Sequence, residues 1–158
     1  MPYTIMKNLY IHCDGGFGNR FNALVVGLLI CKVGNFIPII SWPSTNVCRA
    51  TFDEIFESDY KFISNRLENY SNQLQNYEFV MHENQLSWNI NIRSPYSFDK
   101  LSDVVAFFKS SNKENLLYFN NLIPNYKDID LSIISELQFK KKYYETVKNF
   151  LPDNNYIG

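Results

Sequence analysis

The first third of the chain contains two short apolar runs separated by a long apolar segment, a pattern that predicts a strand–helix–strand unit. Residues 9–13 predict a buried strand, residues 21–33 predict a helix, and residues 36–42 predict a second strand. The helix is apolar nearly all round, as expected when one face packs on a sheet and the other face is covered by further protein. Gly34 is predicted to end it.

The rest of the chain continues to alternate between helices and strands. Helices are predicted over residues 52–57, 98–109 and 130–151, the last as one helix or as two joined near Phe139. Thr51 and Glu54 form a capping box before the first of these helices, and Ser97 is the predicted cap of the second. Further strands are predicted at residues 60–64, 77–82, 88–92, 115–119 and 155–158.

Strands that alternate with helices are typical of a parallel, doubly wound sheet. The sequence therefore predicts an α/β fold, namely a single Rossmann-like three-layer domain with a mainly parallel sheet over residues 1–158. This length suits one domain with a substantial core. Because the chain stops as it enters a predicted strand, we expect it to be the truncated N-terminal part of something larger. In such sheets ligands bind at the carboxyl ends of the strands.

Composition narrows the class of protein. Hydrophobic residues make up 46% of the chain and aromatic residues 16%, so we expect a packed globular chain. The net charge of −1, without a basic stripe, disfavours nonspecific nucleic-acid binding. The first residues lack the pattern of a signal peptide, and the apolar run at residues 23–31 is too short to cross a bilayer. No membrane span is therefore predicted.

The cysteines and histidines indicate neither disulfides nor a metal site. The three cysteines are odd in number and far apart, at Cys13, Cys31 and Cys48. They fit reduced, buried thiols in a cytoplasmic protein better than a disulfide framework. The two histidines, His12 and His82, leave no Cys/His spacing typical of a metal site.

Two groups of carboxylates have the residue types of catalytic or metal sites. Asp128-Ile129-Asp130 resembles the D-x-D pair that holds a divalent metal in many sugar-nucleotide enzymes, but it leads into a predicted helix. Asp53 and Glu54 lie in the first turn of another predicted helix. Carboxylates at helix starts usually cap the helix and complement its dipole, so capping is the preferred interpretation of both groups.

Most of the functional information lies in the glycine-rich loop at residues 14–20. Its three glycines, Gly15, Gly16 and Gly18, allow a sharp turn and a close approach to a bulky ligand. The following helix would aim its N–H groups and the positive end of its dipole at that point, which suits a phosphate or diphosphate. A turn that merely connects strand to helix is the alternative.

Two familiar phosphate-binding loops do not fit these residues. A P-loop ends in Gly-Lys-Ser/Thr, whereas this loop ends in Gly18-Asn19-Arg20. Phe21 occupies the position of the third glycine in a dinucleotide fingerprint, and no carboxylate ends the second strand to hold a ribose. The sequence therefore disfavours an NAD or ATP site.

A longer pattern connects this loop with the residues after it. Its parts are Gly15-Gly16-Phe17-Gly18-Asn19-Arg20, the apolar helix, Trp42-Pro43, Cys48 and Phe52-Asp53-Glu54-Ile55-Phe56. Over residues 9–57 this pattern resembles the N-terminal part of the fucosyltransferase-like glycosyltransferases, which include the protein O-fucosyltransferases and related bacterial and viral enzymes. Gly16 and Arg20 depart from the family, whose O-fucosyltransferases often have arginine and glutamine at these positions.

The resemblance implies a two-domain GT-B architecture and an inverting, metal-independent transfer from GDP-fucose to a glycan or protein hydroxyl, without a further cofactor. It places the glycine-rich loop at the substrate, with Asn19 near the sugar diphosphate. The substrate-binding residues so implied are Gly15, Gly16, Phe17, Gly18, Asn19 and Arg20. A C-terminal donor-binding domain would hold most of the nucleotide and is expected to be missing, so the chain alone is expected to be inactive.

Three side chains near the loop have open roles. Asp14 is the carboxylate nominated as catalytic base, and a turn residue bonded to its own loop is the alternative. Arg20 either stabilises the diphosphate or has a structural role, in which it pairs with a carboxylate or covers the helix start. His12 is predicted to be a hydrogen-bonded core residue. The candidates for stacking on sugar rings are Trp42, Trp88 and Tyr96, although most aromatic residues are expected in the core.

The main alternative comes from a different functional class. It is a non-catalytic module of the same layered fold that binds a phosphorylated ligand or a protein partner. Such a module is expected to show no preference for guanine nucleotides.

Overall fold

The computed structural model describes residues 5–64, 77–81, 98–119 and 127–150. In chain order the described strands are β1 (Asn8–His12), β2 (Ile37–Ser41), β3 (Phe56–Glu57), β4 (Lys61–Ile63), β5 (Tyr77–Met81), β6 (Asn115–Phe119) and β7 (Gln138–Phe139). The described helices are α1 (Phe17–Gly34), α2 (Phe52–Ile55), α3 (Leu101–Ser110) and α4 (Lys141–Phe150), with a 3₁₀ helix at Leu131–Glu136. The predictions for Ser97 and for residues 88–92 and 155–158 fall outside the described residues.

Five of the strands form one sheet in the order β4-β2-β1-β6-β5, and every neighbouring pair is parallel. β1 lies at the centre, and β3 and β7 form a separate antiparallel pair. Parallel neighbours require crossover connections, and α1 and α3 provide them between β1 and β2 and between β5 and β6. The chain therefore has the Rossmann-like α/β fold that the alternation of strands and helices predicts.

The sheet is buried on both of its faces. Leu9 and Ile11 of β1 lie in the core cluster with the residues of α1, and their partners on β6, Leu116 and Tyr118, belong to the same cluster. α1 and α3 contact each other on this face. Successive strand residues point to opposite faces, and Leu117 on the other face is buried as well. Burial on both faces is what apolar parallel strands require in a three-layer domain.

The contact between α1 and β1 depends on a glycine. A Cβ atom built on Gly27 would lie 2.5 Å from Ile11 Cγ2, closer than real side-chain atoms approach. Gly27 therefore sets the distance between the helix and the central strand. At the end of α1, Asn35 takes the left-handed conformation at φ 58°, and its N–H bonds to the Cys31 carbonyl. The helix ends at Gly34 as predicted, although Asn35 and not the glycine takes the left-handed conformation.

Two predicted helices are shorter or broken because of the β3–β7 pair. The helix predicted over residues 52–57 ends at Ile55, since the next two residues pair with β7. Its capping box is present, and Glu54 Oε2 accepts a hydrogen bond from the Thr51 N–H at 2.7 Å. The segment at residues 130–151 is divided by β7 into the 3₁₀ helix and α4. Local periodicity does not reveal a strand that forms only by pairing with a distant segment.

α3 is capped at both ends by residues that lie far away in the sequence. The Asp128 carboxylate accepts hydrogen bonds from the first two N–H groups of the helix, at 2.6 and 3.1 Å. The Lys7 ammonium donates to three carbonyl groups at the other end, between Phe108 and Ser111. Negative charge at the N-terminus and positive charge at the C-terminus both stabilise a helix dipole. The helix starts at Leu101, three residues later than predicted.

Both carboxylates of the D-x-D segment cap helices. Asp130 Oδ1 accepts a hydrogen bond from the Ser132 N–H at 2.9 Å, at the start of the 3₁₀ helix. Asp128 caps α3, which precedes it in the chain. The capping interpretation is confirmed, although one of the two capped helices is not the one that follows.

α1 is long and apolar enough to cross a membrane by length and composition alone. Its length of 18 residues exceeds that of the apolar run seen in the sequence, because the helix begins earlier than predicted. Of the residues in this helix, 61% are buried in the folded chain. A core helix that packs on a sheet accounts for its composition.

Replacing Gly27 by alanine is expected to destabilise the protein by about 1–3 kcal/mol, because the new methyl group overpacks the contact with Ile11. Alanine would otherwise favour the helix by about 1 kcal/mol. Urea denaturation measures the change. Gly18→Ala in the same helix is the control, since a Cβ atom there meets nothing within 4 Å. Equal effects of the two substitutions would contradict the close approach of α1 to β1 at Gly27.

Replacing Asp128 by asparagine is expected to flatten the loss of stability in acid. Desolvation, the largest effect, raises the pKa of Asp128, but hydrogen bonds from the Ser102 and Leu101 N–H groups hold it below its ordinary value of 3.8. Because the pKa is lower in the folded state, the charge stabilises the fold fully above about pH 4 and this contribution is lost as the pH falls through the folded value.

Thermal midpoints measured by circular dichroism at a series of acidic pH values test this expectation. Asp59→Asn, at an exposed position outside the helices, is the matched control. The wild type and the control should lose stability more steeply than Asp128→Asn. Parallel acid profiles of all three proteins would rule out a role for the Asp128 charge.

Candidate functional site

The candidate site lies where the central strand β1 leads into α1. The Cys13 N–H bonds to the Ser41 carbonyl at 2.9 Å and extends the parallel ladder by one residue. Gly15 then adopts φ +82°, a conformation that only glycine takes without strain, and it turns the chain toward α1. The Arg20 N–H bonds to the Gly16 carbonyl at 3.1 Å, so Gly16 is the N-cap. The predicted helix start at Phe21 is wrong, because Phe17 to Arg20 already form the first turn.

The first turn of α1 contributes helical N–H groups from exposed residues. The N–H groups of Phe17, Gly18 and Asn19 precede the first intrahelical hydrogen bond and have no acceptor within the helix. Gly16 has no side chain that caps them, and the first turn contains no acidic residue. All three residues are exposed. The turn therefore retains the positive end of its dipole, which suits an anion.

Arg20 lies beneath this turn rather than at its surface. It is fully buried, and its Nε donates to the Gly15 carbonyl at 2.7 Å. Its Nη1 donates to the Pro43 carbonyl, and its Nη2 donates to Thr45 Oγ1 at 2.9 Å. The guanidinium carbon also lies 5.3 Å from the centre of the Trp42 ring. Of the two roles open to Arg20, these contacts belong to the structural one.

Asp14 is buried beside Arg20 and His12. Its Oδ1 lies 3.8 Å from Arg20 Nη2, and its Oδ2 lies 4.0 Å from His12 Nε2. The His12 ring is fully buried and stacks on Phe119 with a centroid distance of 4.2 Å. Burial raises the pKa of the neighbouring Cys13 thiol, and the Arg20 charge opposes this only in part. Asp14, the candidate base, is therefore buried below the turn, next to the buried cation Arg20.

An aromatic cluster lies beside the turn. The Phe17 ring contacts Phe21, Trp42 and Phe139, with centroid distances of 5.8, 6.3 and 6.4 Å. Trp42 is fully buried and its indole N–H donates to the Ala50 carbonyl at 3.0 Å, so it cannot stack on a sugar ring. The other two candidates for stacking, Trp88 and Tyr96, fall outside the described residues.

The approach of α4 to the turn could not be found from the sequence. The ring centroids of Phe139 and Tyr144 lie 6.4 Å apart, so Tyr144 lies next to the cluster. Both residues are far from Phe17 in the chain. The only signal in the sequence was a helical spacing of apolar residues, which does not identify the partner of a helix face. The aromatic surface around the turn is therefore a result of the tertiary structure.

A separate cavity of about 280 Å³ lies at the opposite end of α1. Its lining combines apolar side chains with the two capping carboxylates; the residues are Leu29, Lys32, Val33, Leu101, Asp128, Asp130, Ser132 and Ile133. Within the described part of the chain, no group of three or more His, Cys, Asp and Glu residues is placed to hold a metal ion.

Comparison with protein-family models, with curated proteins and with solved structures found no match to this chain. The fold is thus known from the structure itself, and the fucosyltransferase-like relationship remains a hypothesis based on residues 9–57.

Replacing Arg20 by alanine is expected to lower the free energy of unfolding by about 3–5 kcal/mol, because buried acceptors and the Asp14 carboxylate lose their partner. Arg20→Lys is expected to fall between the alanine variant and the wild type, since an ammonium cannot reproduce the planar set of donors. Urea denaturation of the whole chain measures both changes.

Lys32→Ala serves as the control for these variants. Lys32 forms an ion pair with Glu136 in which both side chains are about half exposed, so its removal is expected to leave the denaturation midpoint nearly unchanged. If Arg20→Ala and Lys32→Ala had the same effect, the buried guanidinium would not be the structural centre of the turn.

Proposed function

We propose that the chain is the N-terminal Rossmann-like domain of a fucosyltransferase-like glycosyltransferase that transfers a sugar from a GDP-sugar to a hydroxyl group. One observation carries the proposal. The glycine turn ends the central strand of a parallel sheet and leads into an 18-residue helix whose first three residues, Phe17, Gly18 and Asn19, are exposed. Ligands of such sheets bind at this edge, and a diphosphate fits a helix N-terminus.

In this proposal the main chain of the turn stabilises the departing diphosphate. Transfer of the sugar leaves additional negative charge on the phosphate oxygens, and preorganised N–H groups stabilise such charge without rearranging. Gly16 and Gly18 leave room for the phosphates, since a Cβ atom on Gly18 meets nothing within 4 Å. The exposed Asn19 side chain is available beside them. Arg20 contributes indirectly, by holding the Gly15 carbonyl from below.

The acceptor hydroxyl must lose a proton during the transfer. Asp14 remains our candidate for the base, and its carboxylate lies one residue before the turn with Arg20 at 3.8 Å. A second, C-terminal domain that holds the nucleotide belongs to the same proposal. The cleft between the two domains would then form over the exposed face of the turn.

A second candidate function is the non-catalytic module that binds a phosphorylated ligand. The burial of Asp14 favours it, because a base that catalyses transfer must reach the acceptor. The two functions differ in one measurable property. A transferase domain distinguishes a GDP-sugar from pyrophosphate, whereas a general phosphate-binding turn responds equally to both.

Amide NMR spectra of the full chain, titrated with GDP-fucose, GDP and pyrophosphate, test the proposal. GDP-fucose is expected to shift the amide resonances of Gly16, Gly18 and Asn19 in a saturable manner, even at an affinity of about 1 mM. A comparable response to pyrophosphate would favour the phosphate-binding module. The absence of any response at these resonances would contradict both functions.

A matched pair of variants sharpens the titration. Gly18→Glu places a carboxylate in the first turn of α1, which stabilises the helix but repels an anion. Gly18→Ala changes the same position without adding a charge. The glutamate variant should retain the fold and lose the response to GDP-fucose, while the alanine variant should keep most of it. Equal responses of both variants would show that the ligand binds elsewhere.

A further inference from the structure

The peptide group between Gly15 and Gly16 is free to turn over as far as its two residues are concerned. Turning a peptide group over changes ψ of the residue before it and φ of the residue after it. Since Gly16 has φ −70°, the flipped peptide would give it a positive φ, which glycine tolerates. Gly15 already has φ +82°. The orientation of this peptide group therefore depends on a tertiary contact.

Arg20 makes that contact. Its side chain is buried, and its Nε donates to the Gly15 carbonyl at 2.7 Å, so the carbonyl points toward the guanidinium. Because the peptide group is planar and trans, the Gly16 N–H points in the opposite direction. In the described part of the chain no residue accepts a hydrogen bond from this N–H. It is thus directed away from the buried guanidinium, as a donor to an anion must be.

Thr45 holds Arg20 in this position. Its Oγ1 accepts hydrogen bonds from Arg20 Nη2 at 2.9 Å and from the Cys48 N–H at 3.2 Å. The Thr45 N–H donates to the Cys48 carbonyl at 2.9 Å, so its main chain is held as well. Asp14 Oδ1 lies 3.8 Å from the same Nη2 and is the alternative partner. Since the guanidinium is planar and rigid, a shift of Nη2 toward Asp14 would also displace Nε from the Gly15 carbonyl.

We propose that Thr45 is a positioning residue of the candidate site: by holding Arg20, it keeps the Gly15–Gly16 peptide in the orientation that suits an anion. This inference rests on the proposed function, because it concerns the turn at which the diphosphate would bind. In the flipped peptide the carbonyl oxygen would replace the N–H, and the negative end of the peptide dipole would repel a phosphate. The loop after β2 therefore controls how the turn after β1 receives an anion.

The direction of the Gly16 N–H can be measured in the ligand-free wild type. Residual dipolar couplings of the full chain give this direction relative to the N–H bonds of α1. We expect a single direction that points away from the Arg20 side chain. A direction toward the guanidinium, or two interconverting directions, would overturn the proposal. This measurement requires no variant.

Thr45→Val and Thr45→Ser form a matched pair. Valine removes the acceptor of Arg20 Nη2 at similar shape, whereas serine keeps the hydroxyl. Relaxation dispersion is expected to show exchange at the Gly15 and Gly16 amides in the valine variant, but not in the serine variant or the wild type. Similar exchange in both variants would contradict the role of the hydroxyl. A lower thermal midpoint of Thr45→Val without exchange would mean a purely structural role and would also overturn the proposal.

A second substitution identifies the motion as a peptide flip. Gly16→Ala fits the present φ, and its Cβ atom would lie 3.7 Å from Val47 Cγ1, which is an ordinary contact. The flipped peptide would require a positive φ at this alanine, which is strained. The double variant Thr45→Val, Gly16→Ala is therefore expected to lose the exchange. Exchange that persists in the double variant would show a different motion and would refute the assignment.

Titration with GDP-fucose separates this inference from the proposed function. Only the fraction of molecules with the peptide in the present orientation binds, so Thr45→Val is expected to bind about two- to tenfold more weakly than Thr45→Ser. Exchange in the valine variant without this loss overturns the positioning role. If the wild type responds to neither GDP-fucose nor pyrophosphate, the proposed function fails, whereas the ligand-free spectra still decide whether Thr45 fixes the turn.

Discussion

The rest of the candidate site depends on the contacts that the buried guanidinium of Arg20 makes. It bonds to the carbonyl groups of Gly15 and Pro43 and to the Thr45 hydroxyl, and it lies over the Trp42 ring. These contacts join the turn after β1 to the loop after β2. Carbonyl oxygens and a buried carboxylate would be left without a cation if this group were missing, and such groups are unfavourable in a protein interior. The shape of the turn follows from this constraint.

The position of Arg20 divides the turn into two layers with different electrostatic properties. The lower layer contains the matched charges of Arg20 and Asp14. The upper layer, formed by the exposed residues Phe17, Gly18 and Asn19, contains no charged side chain, and its positive character comes from the main-chain N–H groups. An anion that binds there would meet rigid dipoles rather than a mobile cation. The exposed ring of Phe17 belongs to this upper layer and contacts Phe139, which precedes α4.

Much of the fold could be predicted from the sequence, because apolar runs and helical periodicity are local signals. The strands β1, β2, β5 and β6 and the parallel arrangement follow from them. The sequence predicts too late a start for α1, since glycines indicate a loop and nothing local shows that Gly16 accepts the first helical hydrogen bond. The roles of Arg20 and Asp128 depend on partners that are 5 to 27 positions away. Such contacts exist only after the chain has folded.

The caps of α3 impose an order on how this helix is completed during synthesis. A helix of 10 residues is marginal in isolation. Its N-terminal cap, Asp128, is separated from Leu101 by 27 residues, which a ribosome translating 5–20 residues per second needs about 1–5 s to add. Lys7 is translated long before Leu101 and Asp128. The cap from the amino-terminal segment is therefore available as soon as α3 has been made, whereas the other end can be capped only after Asp128 has been added.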